Sequence, residues 1–400
     1  MGWFLFFYGA MGKHIRTRSI HSGEEKNRSN RGVPPSIALT STFFFKNVSE
    51  LERHKDKSEQ REEYGRYHNP TRAVAERKLA DLEEAEDAIL CSSGMYAIAI
   101  TLLRILKPGD HLLILDEMYH RTEDLCSSVL ARFGIEISVV KSCSLDSLRS
   151  SIQENTRLFL FETPTNPHLY VQDLESIVSI CKERKIKTMV DATFASPVNL
   201  LPLRFGVDIV VHSCTKYLAG HNDVLAGVIL ARRSIIESIR ELHFTIGGTL
   251  DAHSSYLLIR GLKTLPLRVS FQNTSAGAIA NFLTAQPGVR KVFYPSLQAQ
   301  PNLEIAKRQM RGFGGVVSFD LGSPERAKKF IDALSIPYIA PSLGGTESLV
   351  IPYSVVVPPA PEEIESGKFS IEPGLVRLSV GLEDQSDLIE DLAQALKALL

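Results

Sequence analysis

Net charge is almost absent from this chain. In 400 residues, 45 lysines and arginines face 46 aspartates and glutamates, a balance of −1. Without an excess of either sign, the chain lacks the electrostatic footprint of a protein that binds nucleic acid or an anionic membrane. The basic stretch KHIRTRSIHSGEEKNRSNRG (13–32) is local and diluted by its own acidic pair. It is expected to be a mobile arm or a subunit contact rather than a phosphate-binding tail. Cysteine is scarce too. Cys91, Cys126, Cys143, Cys181 and Cys214 are odd in number, scattered, and form no CxxC pair. This argues against a disulfide framework or a zinc site and points to a reducing, cytoplasmic setting, with each thiol a small core filler. His212 and His221 have no carboxylate or thiol partner at ligand spacing, so no metal is expected. Neither GxxxxGK[ST] nor a strand-borne GxGxxG occurs, which disfavours nucleotides, and no internal repeat is visible. The opening run MGWFLFFYGAMGKH is too short to span a bilayer. It lacks a basic segment before it and a clear cleavage site after it, and Gly2 has no Ser or Thr at position 6. The expected native start is Met11, with the first ten residues an extension.

What is present is ordinary globular composition, 44% hydrophobic and 23% charged, on a chain long enough for two domains. Residues 1–70, rich in Pro, Ser, Asn and charge, read as an irregular arm. TRAVAERKLADLEEAE (71–86) predicts a helix with Val74, Leu79 and Leu82 on one face and Thr71 as N-cap after Pro70. Short apolar runs then alternate with helix-length segments: HLLIL (111–115), EISVV (136–140), RLFLF (157–161), KTMV (187–190), DIVV (208–211) and GVILA (227–231). That rhythm predicts an α/β fold, a mostly parallel sheet covered on both faces. Past residue 250 the rhythm changes. A long helix, DAHSSYLLIRGLKTL (251–265), leads to strands VVSFDL (316–321) and VRLSVG (376–381), which read as a smaller α+β domain. The expected organisation is an arm over 1–70, a large domain over 71–260 and a C-terminal small domain over 261–400.

Open α/β sheets bind ligands beyond the carboxyl ends of their strands. Three strand exits here carry polar or ionisable groups: ETPTNP (162–167), DATFASP (191–197) and HSCTK (212–216). A lysine after a strand is ordinarily a solvated surface residue, yet Lys216 stands between two apolar runs. Desolvated in a cleft, its amine becomes a nucleophile able to form a Schiff base with an aldehyde cofactor. Asp191, taken alone, reads as a cap, but near the lysine's strand it can hold a protonated pyridine nitrogen. Ser213 and Thr215 flank the lysine with hydroxyls suited to a phosphate. Ser92, Ser93 and Gly94 precede a helix and offer free backbone N–H groups to the same anion. Tyr119, after HLLIL, reads equally as a core tyrosine or as an aromatic stacked on a planar ring and acting as general acid or base.

Together, YGRYHNPT (64–71), SSGM (92–95), ETPTNP, VDATFASP (190–197), HSCTKYLAGHND (212–223), RGLKTLPLR (260–268), SLGGTES (342–348) and VRLSVGLED (376–384) resemble the Cys/Met-metabolism family of pyridoxal-phosphate enzymes. This group includes cystathionine γ-synthase, cystathionine γ- and β-lyases, methionine γ-lyase and O-acetylhomoserine sulfhydrylase. The resemblance runs from about residue 14 to the C-terminus. It implies the fold-type-I transferase fold and pyridoxal 5'-phosphate as cofactor. Lys216 would carry the cofactor and shuttle protons. Asp191 would pair the pyridine nitrogen, Tyr119 would stack on the ring, and Gly94, Met95, Ser213 and Thr215 would hold the phosphate. Tyr64 and Arg66 would reach the cofactor phosphate of a neighbouring subunit in a homotetramer, a dimer of dimers with shared sites. Arg377 would clamp the substrate α-carboxylate, supported by Asn166, with Ser342 orienting the lysine. The implied substrate is a small sulfur amino acid, with cleavage or replacement at Cγ–S or Cβ–S. An aminotransferase on the same fold would not need the RLSVGLED and SLGG context, and a non-catalytic cofactor-binding scaffold would leave the filled chemical positions idle.

The pattern departs from the cystathionine-handling γ-enzymes at three places. Pro341 stands where a glutamate usually precedes the serine matching Ser342. Asp124 stands five residues after Tyr119, where a basic residue often meets a distal carboxylate. VIPYSVVVPPAPEEIESGKF (350–369) replaces the usual Met-Thr-His segment that closes over the site. Glu63 does match an acidic position typical of cystathionine lyases. These features read either as drift in a loop or as a distal pocket that disfavours a second carboxylate.

Overall fold

The computed structural model describes residues 12–26, 31–59, 61–358, 361–366 and 370–399. The opening apolar run up to Met11 and part of the 350–369 stretch lie outside them. The first described helix, α1 (Ile15–His21), is followed by α2 (Val48–Lys55), so the first seventy residues are more ordered than their composition suggests. Nor is the basic stretch a detached arm. Arg18 Nε reaches Asp81 Oδ2 at 3.0 Å, and Lys78 Nζ donates to the carbonyls of Ser19 and Ile20 at 3.0 and 2.9 Å. Both partners lie on α3 (Pro70–Glu83). That helix starts one residue earlier than predicted because Asn69, not Thr71, caps it. The Asn69 side chain accepts from the Thr71 and Arg72 N–H groups, with Pro70 at the first helical position.

Seven strands form the larger sheet: β1 (Asp87–Cys91), β2 (His111–Leu115), β3 (Glu136–Val140), β4 (Thr156–Glu162), β5 (Lys187–Asp191), β6 (Ile209–Ser213) and β7 (Gly227–Ala231). Their order is β1-β7-β6-β5-β4-β2-β3. The run β6-β5-β4-β2-β3 is parallel, and β7 is antiparallel to both β6 and β1. The central strands are buried on both faces, which is why they read as unbroken apolar runs. β1 escaped the sequence reading because its five residues run directly into the SSG turn of α4 (Gly94–Ile105).

The smaller sheet contains β8 (Lys291–Phe293), β9 (Val316–Asp320), β10 (Tyr338–Ile339), β11 (Leu349–Pro352) and β12 (Leu375–Ser379), in the order β10-β11-β12-β9-β8. The single helix expected over 251–265 is two, Ala252–Leu262 and Leu265–Thr284. The break falls just before Pro266, which cannot donate the N–H that a continuous helix needs there. The segment after β4 meets β12 of the small sheet where Asn166 faces Arg377, and the turn after β6 meets the small domain where Lys216 faces Ser342.

Candidate active site

Lys216 lies in the tight turn after β6. Its own N–H donates to Ser213 O at 3.2 Å, and Gly220 N–H donates to its carbonyl at 2.8 Å. The next residue, buried Tyr217, is pinned from two sides: its carbonyl accepts from Arg268 Nη1 at 2.9 Å and its hydroxyl from Gly315 N–H at 2.8 Å. The lysine side chain turns inward, and Nζ donates to Ser342 Oγ at 2.6 Å. Desolvation pushes the amine down to about 8. The nearby Arg377 cation acts in the same direction, and Asp191 partly offsets both. Ser342 holds φ at +111°, a backbone conformation that side chains other than glycine rarely adopt. Its carbonyl also accepts from Arg377 Nη2 at 3.2 Å. One strained residue therefore touches both the lysine and the arginine.

Arg377, on β12, is buried, and its Nη1 donates to Asn166 Oδ1 at 2.9 Å. Its guanidinium carbon stands 5.6 Å from the centre of the Tyr353 ring. Among the described residues no carboxylate lies within salt-bridge distance of it. A buried guanidinium supported by an amide, a carbonyl and a ring face is short of an anion, and its fork suits a carboxylate.

The strand ends opposite show the reverse shortage. Asp191 and Glu162 are partners in the β4–β5 ladder. Asp191 accepts from Thr193 N–H at 2.9 Å and from the Thr193 hydroxyl at 2.5 Å. Burial raises its carboxyl above the usual range, opposed by those hydrogen bonds and by His212 and Lys216. Burial raises Glu162 further, and the Asp191 charge adds to it. Two acids side by side in a desolvated site favour a nearby cation, and a protonated pyridine nitrogen would be one. Glu162 Oε2 also accepts from Tyr119 N–H at 2.9 Å, so it fixes the start of the segment carrying that ring. Tyr119 is 41% exposed, so its ring is open to a ligand.

The third element is a helix start able to cradle an anion. Ser93 caps α4 by accepting from Tyr96 N–H at 3.0 Å. The helix start approaches β6 so closely that a Cβ on Gly94 would lie 3.0 Å from Ser213 Cβ. Met95 follows in the first turn, its sulfur accepting from Thr122 Oγ1 at 3.6 Å. Free N–H groups at this helix start favour a phosphate. Thr215 sits beside the cradle, with its hydroxyl engaged by Ala226: it accepts from the N–H at 3.0 Å and donates to the carbonyl at 3.3 Å. Gly227, which pairs with Cys91 on one side and Ser213 on the other, supports the cradle from below. A Cβ there would lie 2.2 Å from Ser93 O. Gly227→Ala is therefore expected to displace the Ser93–Gly94 turn and weaken cofactor retention by about tenfold or more. Equilibrium dialysis of the purified holoprotein measures this; unchanged retention would show that the cradle does not hold the phosphate.

Three candidates lie apart from this set. Tyr64 and Arg66 line a surface cleft of about 390 Å³ with Ser41, Asn69 and residues 249–252. Arg66 Nη1 donates to Phe244 O, and its guanidinium stands 4.9 Å from the Tyr67 ring centre. Glu63 is taken up by Lys55 Nζ at 2.7 Å and His54 Nε2 at 3.3 Å. The acid at 124 is not a lone charge either, since Arg121 Nη1 lies 3.0 Å from Asp124 Oδ2. His212, which had no partner at ligand spacing in sequence, has one in space: its Nε2 lies 3.0 Å from buried Glu83 Oε2. Among the described residues no group of three or more His, Cys, Asp or Glu side chains is arranged to hold a metal ion. None of the described helices is long and apolar enough to cross a membrane.

Glu162 and Thr193 were legible only as members of the polar strand exits, because their roles depend on which neighbouring group they face. Tyr353 gave no signal, since nothing in its own segment indicates the arginine above it.

A family model described as Cys/Met metabolism PLP-dependent enzyme matches residues 16–397. Cystathionine gamma-synthase 1, chloroplastic, of Arabidopsis thaliana is 43% identical over 386 residues, covering 95% of this chain and 68% of its own length. L-methionine gamma-lyase of Fusobacterium nucleatum subsp. nucleatum is 42% identical over 390 residues, covering 96% of this chain and 98% of its own. The crystal structure of metB from Corynebacterium glutamicum superposes with a TM-score of 0.90 at 35% identity, over 97% of this chain and 99% of that one.

Proposed function

The chain belongs to the Cys/Met-metabolism family of PLP-dependent enzymes, and we propose that within it this enzyme acts at Cγ of cystathionine-like amino acids, in the manner of a cystathionine γ-synthase or γ-lyase. The observation that carries this reading is the Lys216–Ser342–Arg377 connection. It sets a partly neutral, half-buried amine next to a carboxylate-seeking guanidinium through one residue. Two relatives named above act at the γ position by their names, a synthase and a lyase, which favours γ over β chemistry here.

Arg377 and Asn166 bind the substrate α-carboxylate, which presents Cα toward Lys216. Bound pyridoxal phosphate supplies an electron sink that acidifies the Cα–H bond. Asp191 keeps a positive charge on that sink, and the α4 start with Ser213 anchors its phosphate. Lys216 takes the Cα proton. A leaving group on Cγ requires a second proton taken from Cβ, and the same amine reaches both neighbouring carbons by rotation about its flexible stem. The departing sulfur takes a proton, and we assign the phenol of Tyr119 as its donor. With cystathionine and water the products balance as cysteine, 2-oxobutyrate and ammonia. With an O-acyl homoserine and cysteine, replacement gives cystathionine and the carboxylic acid.

The large domain, taken as 71–260, and the small domain, 261–400, share this site. The N-terminal arm supports assembly: Val33, Leu39, Phe44 and Val48 are exposed apolar side chains, and Leu39 lines the Tyr64–Arg66 cleft. We assign these residues to a subunit contact in a homotetramer. The five free cysteines support a cytoplasmic location.

Mass spectrometry of the keto acid released from L-cystathionine tests the reading. 2-Oxobutyrate is expected; pyruvate would mean β-cleavage. If neither forms, O-acyl homoserines and methionine are the substrates to try. Asp124→Arg adds a base where Arg121 is now tied up, and is expected to lower the KM for cystathionine several-fold. An unchanged KM would mean that position 124 does not face a distal carboxylate.

A further inference from the structure

One charge cluster outside the residues assigned above, centred on a buried histidine, joins the two sheets. His168, two residues after Asn166, is buried. Its Nδ1 lies 2.9 Å from Glu117 Oε1 and its Nε2 lies 2.7 Å from Glu372 Oε2. A ring meeting carboxylates through both nitrogens satisfies them only with both protons on, as imidazolium. The three residues come from three places. Glu117 stands between β2 and Tyr119. His168 follows the exit of β4. Glu372 precedes β12, and its carbonyl accepts from Leu375 N–H at 2.9 Å. Each segment also carries a site residue, respectively Tyr119, Asn166 and Arg377. A further tie joins the β4 exit to the small sheet, where Ser318 Oγ donates to Pro167 O at 2.8 Å.

We propose that the Glu117–His168–Glu372 bridge is a positioning device for the carboxylate site, holding Asn166 in register with Arg377 so that loss of the imidazolium charge loosens the grip on a substrate α-carboxylate. This deepens the proposed function and rests on its assignment of Arg377 as the clamp.

The surroundings favour the charged form. Desolvation works against it, but hydrogen bonds and charge from Glu117 and Glu372 outweigh burial and push His168 up to about 9. Tyr170 stacks on the ring at 5.4 Å, with its own phenol pushed upward by burial and by the same two acids. It therefore stays neutral where His168 titrates. Phe293 covers the ring at 4.6 Å. Among the described residues, Lys291 Nζ, 3.5 Å from Glu372 Oε1, is the remaining cation, and Thr165 Oγ1 donates to Glu117 Oε2 at 3.0 Å. A histidine raised in the folded state keeps its bridge below the ordinary histidine range and loses it as pH rises through about 9.

The test uses the holoenzyme and glycine, which has an α-carboxylate and no leaving group, and reads its Kd from the cofactor's absorbance. His168→Gln is expected to weaken glycine binding about tenfold at neutral pH. The ratio of variant to parent should fall toward one by about pH 10, where the parent has lost the same charge. Lys216 and the glycine amine titrate in both proteins and cancel in that ratio. Glu372→Gln should give the same loss and serves if His168→Gln fails to fold. A ratio of one at neutral pH overturns the proposal, and so does a ratio that persists unchanged at pH 10, which marks lost packing alone. Arg377→Met separates the two readings. If it leaves glycine affinity untouched, the clamp assignment fails and takes this inference with it. If cystathionine gives no keto acid while the glycine ratios behave as stated, only the substrate reading falls.

Discussion

Lys216→Ala lowers turnover about ten-thousandfold or more, because one side chain provides both the covalent anchor for the cofactor and the proton carrier. The fold should survive. Among the described residues the amine's single hydrogen-bond partner is Ser342 Oγ, and the turn that carries the residue is held by Tyr217, Arg268 and Gly315 rather than by the lysine side chain. The charge is in fact a burden. Desolvation and Arg377 hold the amine near 8, against an ordinary lysine value of 10.5. The folded state thus binds this proton less tightly than the unfolded state. The penalty is full below about pH 8 and disappears as pH rises through 10.5. The apoprotein of Lys216→Met is therefore expected to be more stable than the parent at neutral pH, by up to about 3 kcal/mol, and to lose that advantage at alkaline pH. Thermal denaturation at two pH values checks this. A variant less stable than the parent at neutral pH would mean that Lys216 serves the fold.

Arg377→Met raises the KM for the amino acid substrate about a hundredfold, with a smaller change in kcat. The guanidinium is buried with a neutral amide, a carbonyl and a ring for company, so its charge is not consumed within the protein. It also depresses Lys216, second only to desolvation. Removing the cation should therefore move the pH at which the Lys216 site titrates upward, as read from the cofactor's absorbance. Arg377→Lys keeps a charge but loses the planar fork, so affinity should fall about tenfold while the titration stays near the parent's. If both variants shift the titration equally, Arg377 acts through packing. If neither raises KM, the carboxylate binds elsewhere.

The parts of the site legible from sequence were those at strand ends. Asp191 and the Lys216 turn follow apolar runs, and the rule that α/β sheets bind ligands beyond their strands marks such places in advance. The strand ends themselves ran one or two residues longer than read. Asp191 closes β5 and Ser213 closes β6, because polar residues that face the site still complete the ladder. Less legible were contacts that depend on chain reversal. Ser342 and Lys216 are 126 residues apart, and His168 and Glu372 are 204 apart. No periodicity in either segment encodes the other. Pro266 signals the helix break, but the apolar pattern continues across it and masks the signal. Pro341 remains exposed beside Ser342, and nothing in the structure explains its replacement of an acid.

The most direct test of the account is borohydride reduction of the holoenzyme followed by peptide mass mapping. The chain has a built-in control. Lys78 is fully buried, with its amine likewise pushed down to about 8, but it is held by Glu24 and by two carbonyls of the N-terminal segment. The account predicts a reduced phosphopyridoxyl mass on the peptide containing Lys216 and none on the peptide containing Lys78. A label on Lys78, or a protein that takes up cofactor without a label at Lys216, would contradict it.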